Sequence, residues 1–250
     1  MEQAQLLPTV APVPAGAILG SLVEPNELLA NLCHELRGPL TVMTGYLEIL
    51  IQDWGEQLGA EPGQMLDRMR LSAAELAHTV ENLIDWTNPA PPRPEQFDLE
   101  DLRAEVAPAL EAIARRRGLL LRWEVAAEPR RLYCDRRMLR SILFNLCSNG
   151  LKFTERGEVR VRIAPLTGER EGLELEIADT GRGIDAADLA LIFRPFVQLS
   201  HSNRRLSRGL GLGLALVKGQ VGAMGGRIEV DSLPQAGSRF RVELPRVVPI

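Results

Sequence analysis

The spacing of apolar residues changes character once along the chain. Up to about residue 88 it is helical. Leu29, Leu36, Met43 and Leu50 recur every seven residues, and Cys33, Leu40 and Leu47 form a parallel row. Together they mark one seam along a helix of about seven turns. After a turn region between Gly55 and Gly63, a second helix carries Met69, Leu76 and Leu83 in one row and Leu66, Ala73 and Val80 in the next. Asn26 is placed to cap the first helix, with Pro25 just outside it. A lone hairpin of two such helices cannot bury both seams, so the pattern predicts a four-helix bundle made by two chains, a homodimer.

Residues Asn88–Pro94 read NPAPPRP, and a proline run repels helix and favours extended backbone. Beyond it the spacing alternates between helical and strand-like. Asp98 is placed to cap a helix running to about Arg116, residues 119–125 read as a strand, and Asp135 is placed to start a helix through Leu151. Val159, Val161 and Ile163, then Leu173, Leu175 and Ile177, alternate as strands do. A helix near Leu212–Met224 and strands over about 227–230 and 238–244 complete the pattern. The fold class predicted is α+β: an N-terminal helical hairpin forming a dimeric four-helix bundle, then an α/β sandwich with a mixed sheet and helices on one face. The expected divisions are a flexible tail over 1–24, the hairpin over 25–88, a linker over 89–96 and the sandwich over 97–247.

Composition narrows the function little. Of 250 residues, 45% are apolar and 25% charged, which is ordinary for a globular protein. A net charge of -4 gives no reason to expect nucleic acid or an anionic membrane as partner. No apolar run is long enough to span a bilayer, so no membrane insertion is expected. Cys33, Cys134 and Cys147 have neither metal-ligand nor disulfide-framework spacing and suit a reducing, cytoplasmic setting.

Four signals in the second half carry chemistry. In Asn145-Leu-Cys-Ser-Asn149-Gly-Leu-Lys152-Phe-Thr, the two asparagines and the lysine share one helix face. Amide oxygens suit Mg²⁺, and a lysine ammonium offsets phosphate charge. Asp179-Thr-Gly181-Arg-Gly183-Ile184 puts a carboxylate at a strand end, where it can accept a hydrogen bond from an exocyclic amine, beside glycines that admit a ligand to the backbone. Phe193-Arg-Pro-Phe196 pins two aromatics with a proline. Gly209-Leu-Gly211-Leu-Gly213-Leu214 leads into a helix and leaves backbone N–H groups for phosphate. It is neither a Walker loop nor a dinucleotide fingerprint.

In this order, the four signals resemble the N, G1, F and G2 boxes of the sensor histidine kinases of two-component systems, over about residues 26–246. The resemblance implies a Bergerat-type ATP fold binding ATP and Mg²⁺. Asn149 would ligate the metal, Asp179 would bind the adenine amine, and Asn145 and Lys152 would lie near metal and phosphates. Gly181, Gly183, Ile184, Phe196, Gly209, Gly211, Gly213 and Leu214 would shape the pocket and its lid, with residues 200–208 as the lid itself. His34-Glu35-Leu-Arg37-Gly-Pro39-Leu40 resembles the family's H box. His34 would be the phosphoacceptor, pointing outward from the seam, and Glu35 would orient the ring and accept its proton. Pro39 is expected to kink the helix. His78 and His201 are read as surface residues.

The implied activity is ATP-dependent autophosphorylation of His34, then transfer to an aspartate of a response-regulator receiver domain. Gly38 stands where phosphatase-competent relatives carry Thr or Asn, so weak phosphatase activity is expected. The input is expected from the short tail, from a separate sensor protein or from residues outside this chain. The alternatives are a degenerate ATP-binding dimeric scaffold without kinase activity, an anti-sigma-type serine kinase, and an ATP hydrolase of the gyrase type. The last is disfavoured because Asn145 stands where those enzymes place a glutamate to activate water.

Overall fold

A computed structural model of the chain describes residues 25–54, 57, 59–126, 131–166, 172–198 and 210–245. Two long helices come first, α1 (Pro25–Trp54) and α2 (Ala60–Thr87). They lie against each other through the rows read from the sequence. Leu40 and Leu47 of α1 and Ala73, Val80 and Ile84 of α2 are buried. The other row of each helix stays in solvent: Met43 is 56% exposed and Leu76 51%. α1 starts at Pro25, so this proline occupies the first turn instead of lying outside it, where its missing N–H costs nothing. The helix runs unbroken through Pro39.

Residues 88–94 carry no regular element. Next come β1 (Glu95–Asp98), α3 (Leu99–Arg117), β2 (Leu120–Val125), β3 (Arg131–Cys134) and α4 (Arg136–Phe153). β4 (Glu158–Pro165), β5 (Gly172–Asp179), α5 (Gly213–Ala223), β6 (Arg227–Ser232) and β7 (Ser238–Pro245) complete the order. The caps predicted at Asp98 and Asp135 form, whereas Asn26, expected to cap α1, lies inside that helix because it already starts at Pro25. The Glu100 N–H donates to Asp98 Oδ1 at 2.8 Å, and the Met138 N–H donates to Asp135 Oδ1 at 2.9 Å. Asp135 also accepts from the Arg93 N–H through its other oxygen at 2.8 Å, which anchors the proline run to the start of α4.

The main sheet has five strands in the order β2-β4-β5-β7-β6, with β2 parallel to β4 and the rest antiparallel, as the mixed pattern predicted. β1 and β3 pair separately as an antiparallel two-stranded ribbon, so Glu95 and Gln96, expected in the linker, are strand residues. α4 is the centre of the core: Leu139, Ile142, Leu143, Leu146, Cys147 and Leu151 are fully buried against α3, α5 and the sheet. The far side of the sheet is a ladder of cross-strand charges, including Arg122–Glu158 at 2.7 Å, Arg162–Glu174 at 2.8 Å and Arg227–Glu243 at 2.9 Å. Helices therefore cover one face, and the other is solvated.

Candidate functional site

All four motifs of the second half meet around α4. Its first motif runs along the last two turns of the helix, where apolar positions point into the core and leave Asn149 and Lys152 half-buried at its edge. The Phe153 carbonyl, at the end of that motif, accepts from the Arg182 N–H at 3.4 Å. A Cβ placed on Gly181 would lie only 2.6 Å from the same carbonyl oxygen, so glycine is required for this approach. Gly183 has φ +67°, a left-handed conformation that glycine adopts without strain. Ile184, next in the chain, donates its N–H to Ser232 Oγ at 2.8 Å. At the entry to α5, Gly213 faces Asn145, and a Cβ there would lie 2.7 Å from Asn145 Oδ1. Leu214 packs against the core beside it. The third and fourth motifs are joined directly, because the Phe196 N–H donates to the Gly211 carbonyl at 3.0 Å. Gly209 and the segment 200–208 lie outside the described residues.

Asp179 ends β5 opposite Val159 of β4 and Ser238 of β7. Its Oδ1 accepts from the Gly181 N–H at 2.8 Å and the Ser238 N–H at 3.3 Å. Burial pushes this carboxyl above its ordinary range, and the two backbone donors pull it part of the way back. Both donors use one oxygen, which leaves the second to accept from a ligand. Lys152 lies over the Phe153 ring at 5.2 Å. Burial lowers its ammonium below the usual lysine range; Glu75 opposes that shift, and Arg117 and Arg182 add to it. Arg182 shares the Phe153 ring at 4.9 Å, so two cations flank this end of α4.

The donors present fit a magnesium nucleotide. Asn149 offers a hard amide oxygen for which no hydrogen bond is recorded among the described residues, and no cluster of three or more His, Cys, Asp or Glu is found among them. Mg²⁺ held between phosphates, water and one or two protein oxygens needs no acidic cage.

Asn145 is placed differently from Asn149, four residues on. It is only 3% exposed, and its carboxamide is turned towards α2. Asn82 Nδ2 donates to Asn145 Oδ1 at 3.1 Å, while Asn145 Nδ2 lies 3.2 Å from Asn82 Oδ1 and 3.0 Å from the Ser141 carbonyl. His78 Nε2 lies 3.0 Å from Asn145 Oδ1, and its ring packs on Phe144 with centroids 4.5 Å apart. His78 is therefore not the surface residue expected. Burial lowers its pKa below 6.5; the Asn145 hydrogen bond raises it, with smaller opposed effects of Arg140 and Asp85. Its place on the side of α2 away from the apolar rows was visible in the sequence, and there a histidine reads as a surface residue. Its partner, 67 residues away, was not.

Further contacts extend this seam along α2. Arg137 pairs with Asp85 at 2.8 Å, Gln220 of α5 donates to Asp85 at 3.4 Å, and Trp86 meets Phe196 edge-on at 6.4 Å. Phe196 has φ +61° and is 58% exposed.

His34 and Glu35 lie in α1, one to two turns before Leu40. The outward orientation expected of the His34 side chain lies outside the described residues. Farther down the hairpin, an open groove of about 390 Å³ runs between α1 and α2, with Arg37, Thr41, Thr44, Glu48 and Glu81 on its polar walls. No helix among the described residues is long and apolar enough to cross a membrane.

Comparison with known proteins matches both halves of this arrangement. Residues 26–89 match the family model of the His Kinase A (phospho-acceptor) domain, and residues 134–248 that of the histidine kinase-, DNA gyrase B- and HSP90-like ATPase. The circadian input-output histidine kinase CikA of Thermosynechococcus vestitus is 34% identical over 229 residues, which cover 89% of this chain and 31% of the relative. Histidine protein kinase DivJ of Caulobacter vibrioides is 32% identical over 227 residues, 88% of this chain and 37% of the relative. The chain thus spans less than half the length of these curated relatives. Among solved structures, full-length ShkA in complex with AMPPNP superposes with a TM-score of 0.62 at 30% identity, covering 90% of this chain and 47% of that one. With an acceptor-type helical hairpin joined to an ATPase-type sandwich whose four motifs converge on one helix, the chain belongs to the sensor histidine kinases.

Proposed function

We propose that this chain is an ATP-dependent histidine autokinase that phosphorylates His34 and passes the phosphoryl group to an aspartate of a response-regulator receiver domain. The observation that carries the reading is the convergence of Asn149, Lys152, Asp179, Gly181–Ile184 and Gly211–Leu214 around the end of α4, in a chain that also carries the acceptor helix. In this reading Asp179 accepts from the adenine amine, and the N–H groups at the start of α5 face the phosphates. Lys152 offsets phosphate charge. Asn149 is the protein ligand of Mg²⁺, which neutralises charge on the β- and γ-phosphoryl groups when bound. A neutral nitrogen of His34 attacks the γ-phosphorus, the bond to the bridging oxygen breaks and ADP leaves. Glu35 accepts the imidazole proton.

The second copy of the chain follows from the exposed rows. Leu36, Met43, Ile49 and Trp54 of α1 and Met65, Met69 and Leu76 of α2 are all more than half in water. An apolar surface of that extent on two adjacent helices is what a four-helix bundle covers. Gly38 has no side chain to place a water against a phosphorylated partner, so phosphatase activity is weak.

The test is labelling with γ-labelled ATP and Mg²⁺. Acid-labile, alkali-stable label that disappears in His34→Ala and in Asn149→Ala supports the reading. Label that persists in His34→Ala assigns the acceptor elsewhere and overturns it.

A further inference from the structure

We infer that His78 and Asn82 of α2 are positioning residues of the nucleotide site, forming a latch that holds the Asn145 carboxamide away from bound nucleotide until α2 and the sandwich part. The inference rests on the proposed role of Asn145 near the metal and phosphates.

Asn145 offers one oxygen for a metal or phosphate-bound water, and that oxygen is occupied: Asn82 Nδ2 lies 3.1 Å from it and His78 Nε2 3.0 Å. The amide nitrogen is equally committed, to Asn82 Oδ1 and the Ser141 carbonyl. Ser141 belongs to α4 and travels with Asn145. Asn82 and His78 do not. Releasing Asn145 therefore means breaking three side-chain contacts to α2, two to Asn82 and one to His78, while keeping those to Ser141 of its own helix. Gly213 closes on the same oxygen from the other side, where no side chain could fit. Asn149, one turn further along α4, has no comparable tie among the described residues. The two asparagines of one motif are thus divided, one available to ligand and one held by the acceptor hairpin.

The rest of the seam is built to open. Asp85 is half-buried with its carboxyl pushed up chiefly by burial, although Arg137 pairs with it. Gln220 Oε1 is buried with no hydrogen-bond partner among the described residues. A buried acceptor left without a donor costs free energy that opening recovers through water. Among the described residues, the ring contacts across the seam are His78 on Phe144 and Trp86 against Phe196. His78 and Asn82 lie one turn apart on α2, on the side away from Val80 and Ile84, so truncating either leaves the hairpin packing in place.

The experiment uses the full chain with His78→Ala, Asn82→Ala, Asn145→Ala and the double variant His78→Ala/Asn145→Ala. AMPPNP with Mg²⁺ is titrated calorimetrically, and the autophosphorylation KM for ATP and kcat are measured in parallel. Thermal melts confirm that each variant is folded. Losing one net hydrogen bond shifts the latched-to-released ratio about fivefold. His78→Ala and Asn82→Ala should each tighten AMPPNP up to about fivefold, with a matching fall in KM. In the Asn145→Ala background His78→Ala should change nothing. Unchanged or weaker AMPPNP binding in both single variants overturns the latch. So does an equal gain with and without Asn145, because the effect then does not pass through that residue. If the variants bind AMPPNP more tightly but no protein forms phosphohistidine, the latch stands and the kinase reading fails.

Discussion

Replacing Asp179 with Asn separates recognition of the base from integrity of the fold. The side chain is nearly isosteric, and its single carbonyl oxygen can still accept from the Gly181 and Ser238 N–H groups, which now share Asp179 Oδ1 at 2.8 and 3.3 Å. The turn into Gly181 and the start of β7 therefore keep their anchor. What changes is the second oxygen, which becomes an NH₂ group. An exocyclic amine of adenine that donated to a carboxylate would meet a donor instead. A hydrogen bond to an ionised group is worth roughly 1.5–3 kcal/mol, so the loss corresponds to about 10- to 150-fold in Kd. Asparagine also removes the penalty of burying a carboxylate, the cause of the raised Asp179 pKa. The melting temperature should therefore hold or rise while affinity falls. Calorimetric titration of AMPPNP with Mg²⁺, paired with a thermal melt, measures both. A folded Asp179→Asn protein that binds AMPPNP within about twofold of wild type would falsify adenine recognition by this residue. Because the folded carboxyl titrates above 3.8, its contribution to stability is full below that value and declines as pH rises through the folded value. Nucleotide binding needs the ionised form, so affinity runs the other way and falls as pH drops through the same range.

Further outcomes follow from other parts of the structure. Met43→Glu/Leu76→Glu should convert a dimer to monomers in analytical ultracentrifugation, since both side chains are exposed in the single chain and charge cannot be buried in a bundle core; a dimer of unchanged stability would place the interface elsewhere. In a Cys33→Ser background, the native protein should be inert to thiol reagents at neutral pH, because burial pushes the Cys134 and Cys147 thiols up to about 12. Rapid labelling without unfolding would contradict the packing of β3 or α4. The His78 ring, flanked by Arg140 and Asp85, should titrate by NMR with a midpoint below 6.5. A histidine held neutral stabilises the fold above 6.5, and that contribution is lost as pH falls through the lower folded value. A midpoint at or above 6.5 would mean that the ring is hydrated.

Much of this arrangement was legible in the residues because it rests on local rules. The rows of α1 and α2 gave the hairpin, Asp98 and Asp135 gave two helix starts, and the alternation at 159–163 and 173–177 gave the two strands at the sheet centre. The ribbon of β1 and β3 was not visible: each strand has four residues, too few for a period to stand out, and they pair across an intervening helix. The four motifs were readable by order, but not the way Phe153, Asn145 and Gly211 join them, which is tertiary. His78 shows the limit most clearly. On a helical net it lies outside the two apolar rows, where a histidine normally meets water. Only the placement of Phe144 and Asn145 on another helix turns that position into an interior one.

α2 bears its apolar rows on one side, and His78, Asn82, Asp85 and Trp86 on the other. It therefore works as a shaft. Its 28 residues make a rod about 42 Å long, with side-chain tips about 5 Å from the axis. A twist of about 20° applied near Met65, at the hairpin tip, carries those tips through about 2 Å at Asn82, roughly 25 Å away. That arc exceeds the tolerance of a hydrogen bond. Torsion of one rod links the hairpin tip to the nucleotide pocket with no relay of side chains in between.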